Sequence, residues 1–203
     1  MTSDTISVLA LGDSYTIGES VDPGERWPVQ LARMLEEEGV PTRDPVILAR
    51  TGWTTDELAS GIEDTGLAET YDLVTLLIGV NNQYRGRDLE EYRIQFADLL
   101  SRAIAFAGGY SDRVLVLSIP DWGVTPFAEG RDRAQVAREI DAFNRVKEAE
   151  SGPAGVLYVD ITPISREAAT DLALVAEDGL HPSGAMYARW AQAALPVVLE
   201  VFR

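Results

Sequence analysis

The chain has 203 residues, 46% of them apolar and 25% charged, which is typical of one folded domain with a sizeable core. Its formal net charge of −16 disfavours nucleic acid and anionic membrane surfaces, so we expect neither as a partner. The sequence has no cysteine and one histidine, which excludes disulfides and thiolate catalysis and leaves too few ligands for most zinc sites.

Apolar runs alternate along the chain with segments whose apolar residues recur every three or four positions. The runs are typical of buried parallel strands, and the recurring patterns are typical of amphipathic helices. In chain order they predict a strand at Ile6–Leu11, a helix from Pro28 to Gly39, a strand at Pro45–Ala49, a helix start near Thr54, a strand at Asp72–Ile78, a helix from Leu89 to Gly108, a strand at Arg113–Ile119, a helix at Arg131–Glu150, a strand at Val156–Ile161 and a final helix from Ser183 towards Val201.

This alternation of strands and helices predicts βαβ units with right-handed crossovers, which place helices on both faces of a parallel sheet. The fold class that we expect is a three-layer α/β/α sandwich around a five-stranded parallel sheet. No repeat, low-complexity tract or linker divides residues 1–203, so we expect a single domain.

The first residues, Met1–Asp4, carry no basic segment, and no apolar run in the sequence reaches membrane-spanning length. We therefore expect no signal peptide, no contact with a membrane and a cytoplasmic location. The expected partner is a small molecule, bound by a monomer or a small homo-oligomer.

Polar or flexible residues follow the predicted strands or precede the last helix. They are Ser14, Gly52, Asn81 and the pair Asp178 and His181. Ligands of open α/β sheets bind at the carboxyl ends of the strands, so we expect these residues to face one edge. A hydroxyl nucleophile, an imidazole base, a carboxylate and hydrogen-bond donors for an oxyanion are the parts that acyl transfer needs.

Each of these residues also has a structural interpretation. Ser14 is a good helix N-cap, and Gly52 and Asn81 are common turn residues. His181 is compatible with a surface or capping position after a turn that begins at Asp178. The joint pattern favours catalysis, because the only histidine lies three residues after an aspartate while the chain opens with Gly-Asp-Ser.

Four short motifs resemble those of the SGNH (GDSL-type) hydrolase family. They are Gly12-Asp13-Ser14-Tyr15, Gly52, Gly79-Val80-Asn81-Asn82 and Asp178-Gly179-Leu180-His181-Pro182. Each motif is weak alone, but together they follow the family's order and span nearly the whole chain. The resemblance implies a flavodoxin-like sandwich with the sheet order 2-1-3-4-5 and serine hydrolysis without a metal or another cofactor.

The resemblance also implies the role of each residue. Ser14 is the expected nucleophile, His181 the base and Asp178 the acid that orients it, with Ser14, Gly52 and Asn81 forming the oxyanion hole. Tyr15 stands where the family usually has leucine, and Asn82 where it usually has aspartate. Neither change touches a residue that performs chemistry.

The function that we expect is hydrolysis of carboxylic esters with short acyl groups, acetyl above all. Bulky loop residues beside the motifs would narrow the pocket, and the expected substrate-binding residues are Trp53, Asn82, Tyr84 and Trp122. Anchoring of the loops onto the core is an equally good interpretation of the aromatic residues. The functional alternatives are a lysophospholipase or thioesterase, acyl transfer to an alcohol, and a non-catalytic carbohydrate-binding protein on the same fold.

Overall fold

A computed structural model describes residues 5–202, and its centre is a five-stranded parallel sheet in the order β2-β1-β3-β4-β5. The strands are β1 (Val8–Gly12), β2 (Val46–Ala49), β3 (Leu73–Leu77), β4 (Val114–Leu117) and β5 (Leu157–Val159). This order and direction confirm the expected fold class. Met1–Asp4, on which the expectation about a signal peptide rested, lie outside the described residues.

Eight helices surround the sheet within residues 5–202. They are α1 (Ser14–Ile17), α2 (Trp27–Glu37), α3 (Thr55–Thr65), α4 (Val80–Tyr84), α5 (Leu89–Phe106), α6 (Arg133–Ala154), α7 (Thr162–Arg166) and α8 (Gly184–Phe202). The sequence did not predict α1, α4 and α7, because helices of four or five residues are too short to show a helical period. Each of the three follows a strand closely.

The core lies on both faces of the sheet. Every residue of β1 and β3 is buried, as expected for central strands covered by helices on each side. On one side α2 packs against α8, and among the remaining helices α5 packs against both α3 and α6. The largest fully buried aromatic side chains include Trp27 from α2 and Trp190 from α8.

Side chains set two boundaries that the apolar pattern alone misplaced. The predicted helix at Arg131–Glu150 begins at Arg133 instead, because Asp132 is its N-cap and accepts a hydrogen bond from the Gln135 N–H at 2.9 Å. The fifth strand ends before Asp160, whose carboxylate accepts from the Thr162 N–H at 3.0 Å and turns the chain. No helix in the described part of the chain is long and apolar enough to cross a membrane.

Candidate active site

Ser14 lies two residues past the end of β1, at the start of α1. Asp13 caps this helix, since its carboxylate accepts a hydrogen bond from the Tyr15 N–H at 3.0 Å. The interpretation of Ser14 as the cap is therefore wrong. Ser14 is 4% exposed and lines a cleft at the carboxyl edge of the sheet.

His181 precedes α8 and forms a close pair with Asp178. The distance from His181 Nδ1 to Asp178 Oδ2 is 2.5 Å, and the imidazole is 7% exposed. The other carboxylate oxygen, Oδ1, accepts the backbone N–H groups of Leu180 and His181, each at 2.9 Å. These bonds fix the carboxylate against Nδ1 and leave Nε2 as the ring nitrogen available for chemistry.

The Asp178 carboxylate is held in its charged form. Burial alone would raise its pKa, but hydrogen bonds from His181, from two backbone N–H groups and from Ser20 lower the pKa to about 2. The Ser20 hydroxyl donates to Oδ2 at 2.9 Å. Ser20 has a φ of 64°, the one positive value outside glycine among residues 5–202, so its backbone adopts an unfavourable conformation beside the Asp178 carboxylate.

Gly52 lies in the loop between β2 and α3 and lines the same cleft. Its φ of +84° favours glycine, because a Cβ is strained in the left-handed region. Arg85 donates from Nη2 to the Gly52 carbonyl at 2.5 Å and from Nη1 to Glu57 at 3.1 Å. Arg85, at the end of α4, thus anchors Gly52 through its backbone carbonyl.

Asn81 lies in the first turn of α4, directly after β3. Its Nδ2 donates to the Trp53 carbonyl at 3.0 Å and lies 3.4 Å from Asp13 Oδ2. Asp13 is fully buried, and this burial raises the pKa of its carboxyl to about 7 although the Tyr15 N–H and other contacts lower it. These contacts set the orientation of the Asn81 amide beside the turn that carries Ser14.

An open cleft of about 150 Å³ brings the candidate residues together. Its lining residues are Ser14, Tyr15, Thr51, Gly52, Val80, Asn81, Tyr84, Trp122, Phe127, Leu180 and His181. Six of them are apolar or aromatic, which suits an organic substrate with one reactive polar group. Of the expected substrate-binding residues, Tyr84 and Trp122 line this cleft.

Trp53 and Asn82 do not line it, so the structure does not support them as substrate-binding residues. Asn82 is 1% exposed, and its side-chain amide forms hydrogen bonds with the backbone and hydroxyl of Thr55 at 3.0 and 2.7 Å. The amide therefore fastens α4 to the start of α3. The Trp53 ring packs against Gly61 in α3, and the residue contributes only its carbonyl to the Asn81 amide.

Trp122 forms a fixed wall of the cleft. Its indole N–H donates to Gln83 Oε1 at 2.7 Å, and Gln83 Nε2 in turn donates to Glu139 at 2.7 Å. The rings of Tyr84 and Phe127 both pack edge-on against it, with centroids 5.3 and 6.0 Å away. Ring and indole contacts together leave Trp122 4% exposed.

A second, small and mostly apolar cavity of about 20 Å³ adjoins the cleft. The two spaces share four lining residues, namely Tyr15, Trp122, Leu180 and His181. The Tyr15 ring packs between His181 and Trp190, at centroid distances of 5.2 and 6.4 Å. The shared residues therefore form the partition between the cleft and this second cavity.

The sequence interpretation missed two supporting residues, Ser20 and Lys147. The contact of Ser20 with Asp178 spans 158 positions and leaves no local pattern. Lys147 did leave one, because it follows Val136, Ile140 and Phe143 along the buried stripe of α6 at helical spacing. Within residues 5–202 no group of three or more histidine, aspartate or glutamate side chains is placed to hold a metal ion.

Solved structures with the same fold cover nearly the whole chain. TesA superposes with a TM-score of 0.74 at 23% identity, covering 97% of this chain and 99% of its own. Axe2, described as an acetylxylan esterase from Geobacillus stearothermophilus, gives 0.74 at 22% identity and covers 98% and 96%. A G-D-S-L lipolytic protein from Veillonella parvula gives 0.72 at 19%, covering 95% and 98%. No curated protein matches the sequence.

The sequence model of the GDSL-like lipase/acylhydrolase family matches residues 10–189, which is most of the chain. This match defines the protein as a carboxylic-ester hydrolase, and the protein belongs to the GDSL-like lipase/acylhydrolase family. The resemblance read from the four short motifs is thereby confirmed.

Proposed function

We propose that the protein hydrolyses carboxylic esters with Ser14 as nucleophile, His181 as general base and acid, and Asp178 as the carboxylate that orients His181. The observation that carries this proposal is the meeting of Ser14, Gly52, Asn81 and His181 in one cleft. Asp178 also supports the proposal, because its carboxylate bonds to His181 Nδ1 and leaves His181 Nε2 available for the reaction.

In the first step Ser14 Oγ attacks the ester carbon while His181 Nε2 takes the hydroxyl proton. The tetrahedral intermediate then collapses, the bond to the alkoxy oxygen breaks, and His181 returns the proton to the leaving alcohol. Water repeats the sequence on the acyl-enzyme and releases the acid and free Ser14. The Asp178 carboxylate stays ionised throughout and stabilises the imidazolium, in keeping with its lowered pKa.

The negative charge on the carbonyl oxygen is stabilised by the Ser14 N–H, the Gly52 N–H and Asn81 Nδ2 in this proposal. The Arg85 contact to the Gly52 carbonyl and the Trp53 contact to Asn81 support two of these donors before substrate arrives. Donors that are already oriented need no reorganisation as charge develops, and loss of one typically lowers the rate about 10²- to 10³-fold.

The substrates that we propose carry short acyl groups, with acetyl preferred. Trp122, Tyr84 and Phe127 narrow the cleft, and the Gln83 contact holds the Trp122 indole in place. The fold neighbour Axe2 is described as an acetylxylan esterase, which agrees with a small acyl group. Transfer of the acyl group to an alcohol would use the same residues with a different acceptor.

The test is hydrolysis of a p-nitrophenyl ester series from acetate to dodecanoate. Wild type, Ser14→Ala and a matched control, Ser101→Ala on the exposed face of α5, are assayed in parallel. We expect acetate or butyrate to be the best substrate, activity lost by several orders of magnitude in Ser14→Ala, and no change in the control. Turnover that survives in Ser14→Ala would reject the serine mechanism, and a dodecanoate optimum would reject the short acyl group.

A further inference from the structure

Lys147 is a fully buried lysine beneath the candidate site. It lies on α6, is 0% exposed, and donates from Nζ to the Leu117 carbonyl at 2.5 Å and to the Ile78 carbonyl at 3.2 Å. The Phe96 ring lies 5.4 Å from Nζ. The ammonium group therefore joins the carboxyl end of β4 to the carboxyl end of β3, inside the protein.

A lysine in this place is costly for the fold, because a buried ammonium loses its hydration. Burial lowers the pKa of Lys147, and the nearby Asp13 charge opposes that change. Val136, Ile140 and Phe143 occupy the same buried stripe of α6, so an apolar side chain would satisfy the packing. An apolar residue at this position would lack the hydrogen bonds that Lys147 makes.

One contact leads directly to Asn81. The Ile78 carbonyl that accepts from Lys147 belongs to the peptide before Gly79, and Gly79 is the N-cap of the helix that carries Asn81. Gly79 has a φ of +123°, and a Cβ there would lie 2.6 Å from the Tyr92 hydroxyl. The chain thus makes an abrupt turn between β3 and α4, and Lys147 fixes the peptide where this turn begins.

A second connection runs through Asp13. The Asp13 carboxylate caps the helix of Ser14 and lies 3.4 Å from Asn81 Nδ2. Asp13 is buried, and Lys147 is the cation whose charge stabilises its ionised form. Lys147 therefore acts on the Asn81 amide both through the backbone and through the carboxylate that faces this amide.

We propose that Lys147 is a positioning residue that holds Asn81 in place to stabilise the oxyanion, through its hydrogen bond to the Ile78 carbonyl and its charge beside Asp13. This inference rests on the proposed role of Asn81. Lys147 touches no substrate atom in this account and takes no proton from the reaction.

The test is a double-mutant cycle of Lys147→Met with Asn81→Ala, measured on p-nitrophenyl acetate at pH 7. Alone, Lys147→Met should lower kcat about 10- to 100-fold and change KM less than about 3-fold, since the donor acts mainly in the transition state. In the Asn81→Ala background the same change should lower kcat less than about 3-fold. An equal loss in both backgrounds would show a general structural role and overturn the inference.

Two further variants separate positioning from loss of stability. Asn144→Leu, one turn earlier on α6, removes buried hydrogen bonds to Ile119. It should lower the melting temperature, while any loss of kcat that it causes should be the same with and without Asn81→Ala.

Lys147→Gln keeps a neutral N–H donor and replaces Lys147→Met in the cycle if the latter does not fold. The expected coupling to Asn81→Ala is the same in sign and smaller, and its absence overturns the inference.

The outcomes for the two proposals are distinguishable. If Ser14→Ala is inactive and the cycle is additive, the serine mechanism stands and only the role of Lys147 falls. If Ser14→Ala retains activity, the mechanism itself is wrong, and the assignment of Lys147 falls with it.

Discussion

Most hydrogen-bond partners of the Asp178 carboxylate lie within its own loop. The two backbone N–H groups and the His181 ring belong to residues within three positions of Asp178, and only Ser20 comes from elsewhere in the sequence. This local arrangement gives the imidazole a fixed orientation.

The pKa of Asp178 leads to a prediction about stability. Its folded pKa of about 2 lies below the ordinary 3.8, so ionised Asp178 stabilises the fold above pH 3.8 and this contribution is lost as pH falls towards 2. Asp178→Ala should therefore be less stable than wild type at pH 6, and the difference should narrow between pH 5 and pH 3. Urea unfolding at pH 6, 5, 4 and 3 measures it.

The matched control for that series is Asp171→Ala, which removes another loop carboxylate whose side chain caps a short turn. It controls for the loss of a carboxylate in general. A gap between wild type and Asp178→Ala that stayed constant from pH 6 to pH 3 would contradict the assignment of the lowered pKa to the folded contacts of Asp178.

At the scale of elements, the segment from β4 to α6 decides the shape of the cleft. It carries Trp122 and Phe127, and Trp122 is tied to α4 by Gln83, which is itself tied to α6 by Glu139. The β4–α6 segment, α4 and α6 thus together hold the Trp122 ring in place. A wall supported in this way keeps its position when substrate binds, so the length of the acyl group is limited by structure already in place.

Trp122→Ala should merge the cleft with the second cavity and admit longer acyl groups. Each buried CH₂ contributes about 0.8 kcal/mol, so the ratio of kcat/KM for hexanoate over acetate should rise about tenfold or more. Esterase assays on the p-nitrophenyl series measure this ratio. Trp122→Phe, which keeps a ring but loses the bond to Gln83, should change it less, and an unchanged ratio in Trp122→Ala would contradict the partition.

The whole molecule carries far more acidic than basic side chains, 33 against 17. Eleven ion pairs join arginine and carboxylate side chains within residues 5–202, and most are exposed, where each contributes little. Self-repulsion among the remaining carboxylates therefore opposes the compact state at neutral pH.

Salt should accordingly raise the melting temperature at pH 8. Going from about 10 mM to 1 M NaCl shortens the Debye length from about 30 Å to about 3 Å, which screens this repulsion. The same comparison at pH 5, nearer the pI of about 4.3, should give a smaller increase. Differential scanning calorimetry measures both, and a melting temperature that fell with salt at pH 8 would show that the ion pairs outweigh the repulsion.

The parallel sheet was predictable because central strands and long helices leave strong apolar patterns, whereas its strand order came from the resemblance to the SGNH hydrolases. Ser14, Gly52, Asn81 and His181 were predictable as neighbours, since each follows a strand or precedes α8 and such positions meet at one sheet edge. The cleft wall was not fully predictable. Whether the side chain of a residue such as Asn82 in α4 turns inwards depends on a partner in another element, here Thr55.

The most direct test of the central claim is covalent labelling of the nucleophile with a fluorophosphonate, followed by mass spectrometry. We expect one adduct per chain, on Ser14 within the tryptic peptide 1–26, with activity lost in proportion to labelling and labelling strongly slowed in His181→Ala. Complete inactivation with the adduct on another residue, or full activity in a chain labelled at Ser14, would contradict the account.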